Sequence, residues 1–121
     1  SWSEVEKYRS VEDKYFRIAA KFRDWGIPTA DCIRQVRQGL PEIPLIASGG
    51  LSGGMDLAKS IALGANIGGM ARPFLFAADQ SVEAVLALID EIKLELCITM
   101  FAAGAVDIPS LAKKPLIHKS A

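Results

Sequence analysis

From Val5 to Phe22, apolar residues recur at steps of three and four in an otherwise highly charged stretch: Val5, Tyr8, Val11, Tyr15, Ile18, Ala19 and Phe22. That spacing predicts an amphipathic helix over residues 3–23, continuous or broken. Gly26 and Pro28 end it, because glycine accepts a helix-terminating conformation and proline cannot extend the hydrogen-bond ladder. Thr29 is placed to cap a second helix running to about Gln38, its hydroxyl accepting from first-turn N–H groups, with Gly39 and Pro41 closing it. The pattern then changes. Pro44 to Ser48 is a short unbroken apolar run between turn residues, which predicts a strand buried on both faces as in a parallel sheet. A glycine-rich loop follows from Gly49 to Gly54, then a helix over Met55–Leu63 ended by Gly64, then a second short apolar strand within Ala65–Met70. Phe74–Ala78 predicts a short turn or helix. Ser81 caps a long apolar helix to about Ala103, stopped by Gly104, and Asp107–Ala112 forms one more turn before a polar, loose tail from Lys113.

Helix, strand, helix, strand, helix is the order of a βαβ unit, so the class is α/β. Two strands do not make a stable sheet alone. Either further strands lie upstream or copies of the chain associate, and the lack of an initiator Met predicts a piece of a longer protein.

Composition narrows the function. Half of the 121 residues are hydrophobic, which excludes general disorder. Fourteen basic residues balance fourteen acidic ones, so no bulk field draws nucleic acid or an acidic membrane. Ser1–Ser10 is polar and charged, unlike a secretory signal, and the longest apolar run, Cys97 to Val106, falls short of the roughly 20 residues a bilayer needs. Cys32 and Cys97 match no metal or redox spacing and are expected as buried, reduced thiols in a cytoplasmic protein.

The candidate chemistry lies between Ser48 and Pro73. Gly49 and Gly50, at a strand end, let an anion approach main-chain N–H groups. The helix beginning near Gly54 points its positive end the same way. Arg72, at the end of the next strand, adds charge and a forked donor. In a barrel of eight βα units, the loops after strands seven and eight commonly form a phosphate site with a short extra helix, and Phe74–Ala78 fits that helix. The alternatives are an unliganded tight turn and an ordinary exposed arginine.

The stretch Ala47-Ser48-Gly49-Gly50-Leu51-Ser52-Gly53-Gly54-Met55-Asp56-Leu57-Ala58-Lys59 resembles the signature of the type 2 isopentenyl-diphosphate isomerases. The likeness continues through Ile61–Ala65 and Gly69–Leu75. Ser1–Glu6, Asp24–Thr29 and the stretch from Glu95 through Met100-Phe101 to Gly104 extend it in family order. Other FMN barrels share the Gly-Gly turn; Trp25–Thr29 and Met100–Gly104 favour the isomerase.

The resemblance implies the C-terminal part of a TIM (β/α)8 barrel, about the last two βα units with flanking helices. Residues 1–28 would be a helical insertion after strand six, 29–112 the two units and 113–121 a tail. It implies conversion of isopentenyl diphosphate to dimethylallyl diphosphate with reduced FMN as acid–base, NADPH as reductant and Mg2+. Gly49, Gly50, Leu51 and Ser52, with Ala71 and Arg72, would hold the FMN phosphate. Glu6 matches a family acid near the flavin and reads equally as a solvated helix glutamate; Trp2 reads as site lining or core. No metal ligand falls in this chain, and a homo-oligomer is expected. His118, the only histidine, is expected to have no role. The alternatives are an FMN-dependent oxidoreductase of the hydroxy-acid oxidase kind, disfavoured by the lack of a histidine before residue 118, and a non-catalytic self-associating fragment.

Overall fold

The computed structural model describes residues 13–117. Eight elements follow one another: α1 (Asp13–Lys21), α2 (Thr29–Gly39), β1 (Ile46–Ser48), α3 (Gly54–Ala62), β2 (Ile67–Gly69), α4 (Arg72–Gln80), α5 (Val82–Ala102) and α6 (Ile108–Leu111). Of the long amphipathic segment expected over 3–23, Asp13–Lys21 is helical; the part before residue 13, with Trp2 and Glu6, lies outside the described residues, as does His118.

The two strands pair in parallel, Ile46 with Ile67, Ala47 with Gly68 and Ser48 with Gly69. α3 is the crossover between them, so β1–α3–β2 is a βαβ unit. The strand expected to be buried on both faces is covered on one only. Ala47 points into the helices and is 2% exposed, whereas Ile46 is 63% exposed and its neighbour Ile67 57%. The helices that contact the strands all lie behind Ala47 and Gly68; the opposite face carries no layer among the described residues.

Gly68 is where helix and sheet come closest. A Cβ there would overlap Leu57 Cδ1 and lie 3.3 Å from Leu51 Cδ2. Two small apolar clusters result. Ile33, Ala47, Leu51 and Ala65 join α2 to the sheet. Ala58, Ile61, Ala105 and Leu111 join α3 to the C-terminal helices, with Leu96 and Met100 of α5 packed against them.

α5 is apolar around most of its circumference. No residue on it is buried, and Leu86, Leu94, Ile98 and Phe101 are exposed. Cys97 lies on its open side and Cys32 on that of α2, so both thiols are free and exposed rather than buried. A helix apolar all round does not disclose which face its neighbour covers. Among the described residues no helix is long and apolar enough to cross a membrane.

The cap expected at Ser81 forms, and Asp107 adds one that was not expected. The Ser81 hydroxyl accepts from the Ala84 N–H at the start of α5, and Asp107 with Ser110 forms a reciprocal capping box on α6. The cap expected at Thr29 does not form. Thr29 is already the first residue of α2, and its hydroxyl donates to the Gly49 carbonyl at 2.7 Å.

Candidate functional site: the strand-end glycine turn

β1 and β2 end side by side, so the segments leaving Ser48 and Gly69 start as neighbours. The first is Gly49 to Gly53. Gly49 and Gly50 adopt φ of +104° and +83°, a conformation side-chain-bearing residues rarely hold. Two consecutive residues of this kind turn the chain sharply, and successive main-chain N–H groups in such a turn make a concavity that suits an anion. A Cβ at Gly50 would meet nothing within 4 Å, so the space above the turn is open.

Both ends of the turn are fixed. Thr29 holds the Gly49 carbonyl, and the Leu51 side chain is buried against Ile33 and Ala47. Ser52 gives its N–H and its hydroxyl to Asp56 Oδ2, at 3.1 and 2.8 Å. The Gly54 N–H donates to Glu95 Oε2 at 2.6 Å. Among the described residues the N–H groups of Gly50 and Leu51 have no hydrogen-bond partner.

The second segment is the start of α4. Its N-cap position is Ala71, which offers no side-chain acceptor, and no acid stands in its first turn. Its first residue is Arg72, with Pro73 next, so the open amides there belong to a helix end with a cation beside it. A cation at the positive end of a helix is unfavourable by about 0.3–1 kcal/mol unless an anion joins it. The Arg72 guanidinium lies 5.4 Å from the Phe76 ring centroid, one turn on, which steadies it along the helix.

The strand pairing thus brings Gly49, Gly50, Leu51 and Ser52 to the same sheet end as Ala71 and Arg72. Glu6 lies outside the described residues. One expectation needs correction. The start of α3 is not free to face an anion, because Asp56 and Glu95 already accept from amides around it. The open donors are those of the turn and of α4: two unpartnered amides, an uncapped helix end and one guanidinium, a set suited to a tetrahedral oxyanion.

The sequence does not single out Asp56 or Glu95 individually, and Thr29 is expected from it as a helix cap rather than as a tie to the turn. Thr29 and Glu95 act on the turn through contacts between residues far apart in the chain, and Asp56 through a local one four residues from Ser52. All three fall in stretches that carry the family resemblance, the one available signal: Thr29 in Asp24–Thr29, Asp56 in Ala47–Lys59 and Glu95 in the stretch that ends at Gly104. Among the described residues, no three of His, Cys, Asp or Glu stand close enough to hold a metal ion.

Residues 20–118 match the FMN-dependent dehydrogenase family. The chain is 50% identical over 118 residues to an isopentenyl-diphosphate delta-isomerase of Synechococcus sp., covering 98% of this chain and 34% of that protein. To the protein of the same name from Oceanobacillus iheyensis it is 47% identical over 111 residues, 92% of this chain and 32% of that one. To that from Vibrio campbellii it is 43% identical over 113 residues, 93% and 33%. The chain spans about a third of the length of the curated relatives it matches. With the match running from the end of α1 past α6, the chain belongs to the FMN-dependent dehydrogenase family.

Proposed function

We propose that the chain carries the FMN-phosphate clamp of an enzyme that isomerises isopentenyl diphosphate to dimethylallyl diphosphate. The observation that carries this reading is the pairing of the unpartnered Gly50 and Leu51 amides with the uncapped, arginine-bearing start of α4 on one sheet end. Gly49 and Gly50 let the phosphate reach the main chain, and Ala71 and Arg72 close on it from the next strand. Ser52 joins only by turning its hydroxyl away from Asp56, since one O–H donates to one acceptor at a time.

In this reading residues 1–121 form the C-terminal segment of a single FMN-binding TIM barrel. Residues 1–28 are the insertion after strand six, 29–112 the last two βα units and 113–121 the tail. The bare apolar face of Ile46 and Ile67 supports it, because a barrel interior is filled by such side chains. Reduced FMN supplies acid–base chemistry at the substrate double bond. The chain's own part is to anchor the cofactor, with Glu6 holding or relaying a proton beside the flavin ring. NADPH serves as reductant, Mg2+ is held by residues outside this chain, and the enzyme works in the cytoplasm as a homo-oligomer. Relatives at 43–50% identity that carry the isomerase name favour this over a hydroxy-acid oxidase-like reaction within the same family.

Two measurements test the reading. FMN and riboflavin differ only in the phosphate. In the holoprotein, Gly50→Val is expected to weaken FMN by more than about tenfold, the effect of losing a charge-assisted contact of about 1.4 kcal/mol, while riboflavin binding stays nearly constant. Strain at φ +83° would weaken both flavins alike. Unchanged FMN affinity removes the clamp. Turnover of isopentenyl diphosphate under reducing conditions tests the reaction, and full flavin binding without turnover leaves the oxidoreductase.

A further inference from the structure

The beginning of α3 is held by two carboxylates, one local and one from a distant helix. Asp56, in the first turn, accepts from Ser52; Glu95, midway along α5, accepts from Gly54 at 2.6 Å. A helix leaves its first N–H groups without intrahelical partners, and a carboxylate is the favoured acceptor there. Glu95 can reach because the two helices nearly touch. A Cβ on Gly54 would overlap the Ile92 carbonyl oxygen and stand 2.5 Å from the Leu96 nitrogen. One on Gly53 would overlap the Glu95 carboxylate itself. Glu95 is half-buried, so its bond to Gly54 is shielded from competing water.

This has two effects on the turn. Mechanically, Gly53 and Gly54 are tied to α5 while Gly49 is tied to Thr29, and the free amides of Gly50 and Leu51 lie between those anchors. Electrostatically, the negative charge already at the start of α3 steers a second anion away from it, toward the turn and α4. We infer that Glu95 is a positioning residue for the cofactor phosphate: by holding Gly54 it sets where the Gly50 and Leu51 amides point. The inference rests on the proposed reading of this turn as the FMN-phosphate clamp.

The test measures FMN and riboflavin affinities of the holoprotein and its variants by flavin fluorescence, with the 31P resonance of bound FMN as a second readout. Glu95→Ala is expected to weaken FMN about tenfold and riboflavin less than about twofold, with a shifted 31P resonance. Glu95→Gln, whose amide oxygen still accepts from Gly54, restores both the preference for FMN and the resonance. Equal weakening of the two flavins, or no weakening, overturns the inference and leaves Glu95 a tie between helices. Where the alanine variant does not fold, Glu95→Asp, which withdraws the carboxylate by one methylene, decides by the same ratio. Gly50→Val separates the two levels: a variant that keeps its preference for FMN over riboflavin overturns the phosphate reading, and with it any role for Glu95 there.

Discussion

The Thr29 hydroxyl donates to the Gly49 carbonyl at 2.7 Å, twenty residues along the chain. It couples the start of α2 to the first of the two left-handed glycines. Thr29→Val keeps the shape and removes the donor. The Gly49 carbonyl is exposed, so water replaces the lost bond and the stability loss is expected to be about 0.5–1 kcal/mol. The effect on the turn should be larger in proportion, with FMN weakened several-fold and Thr29→Ser close to the parent. Urea denaturation and flavin titration measure the two; unaltered FMN binding in the valine variant would show that the turn holds its shape without α2.

Arg37 gathers backbone that no periodic pattern connects. Its Nε and Nη2 donate to the Gly64 carbonyl at 2.9 and 2.7 Å, and Nη2 also reaches Asn66 Oδ1 at 3.0 Å. Its Nη1 donates to the carbonyls of Pro41 and Ile43, and Asn66 Oδ1 accepts the Leu45 N–H at 2.8 Å. One planar guanidinium therefore ties the end of α2, the approach to β1 and the turn after α3. Lysine keeps the charge but has neither the planar fork nor the number of donors. Arg37→Lys is expected to cost about 2 kcal/mol, seen as a lower denaturation midpoint with unchanged slope. A midpoint within error of the parent would mean that water satisfies these carbonyls equally well.

The elements were legible because each is bounded by local chemistry. Gly49, Gly64 and Gly104 end a strand and two helices, and Ser81 and Asp107 cap as their side chains require. The βαβ order and the strand-end position of the glycine turn followed from that punctuation. Burial was less legible. Pro44–Ser48 reads as fully buried because its residues are apolar on both sides, yet Ile46 faces open space with no second layer among the described residues. The same holds for Cys97 on α5. At the site, the glycines and Arg72 announced themselves through conformation and charge. Thr29 and Glu95 act through hydrogen bonds whose partners are set by helix packing, which no spacing along the chain encodes, whereas Asp56 reaches Ser52 only four residues away.

Gly54 is set by packing rather than by its conformation. Alanine in place of glycine ordinarily favours a helix by about 1 kcal/mol. Here the added methyl would meet the backbone of Ile92 and Leu96, which cannot rotate aside as a side chain tip can. Overpacking of this kind costs about 1–3 kcal/mol, so the clash outweighs the propensity. Gly54→Ala should lower the thermal midpoint and push α5 away from α3. A stabilised variant would mean that the helices separate freely.

Asp107 provides a pH dependence with a definite sign. Its carboxylate accepts the Ser110 N–H at 2.7 Å, while the Ser110 hydroxyl pairs with the Asp107 main chain. The hydrogen bonds from Ser110, aided by Lys113, hold its pKa below the ordinary 3.8 and outweigh the small opposing effect of desolvation. A carboxylate whose folded pKa is depressed contributes stability above its unfolded value and loses it as pH falls through the folded one. The cap should therefore be complete at neutral pH and open only below 3.8. Opening it frees α6, whose Leu111 packs with Ala58 and Ile61 of α3, so the loss is transmitted toward the helix that follows the glycine turn. The Ser110 amide resonance should titrate with a midpoint below 3.8 in the parent and stay flat in Asp107→Asn, which keeps an acceptor but no titrating group. A midpoint at or above 3.8 in the parent would mean that the capping box does not hold the carboxylate in solution.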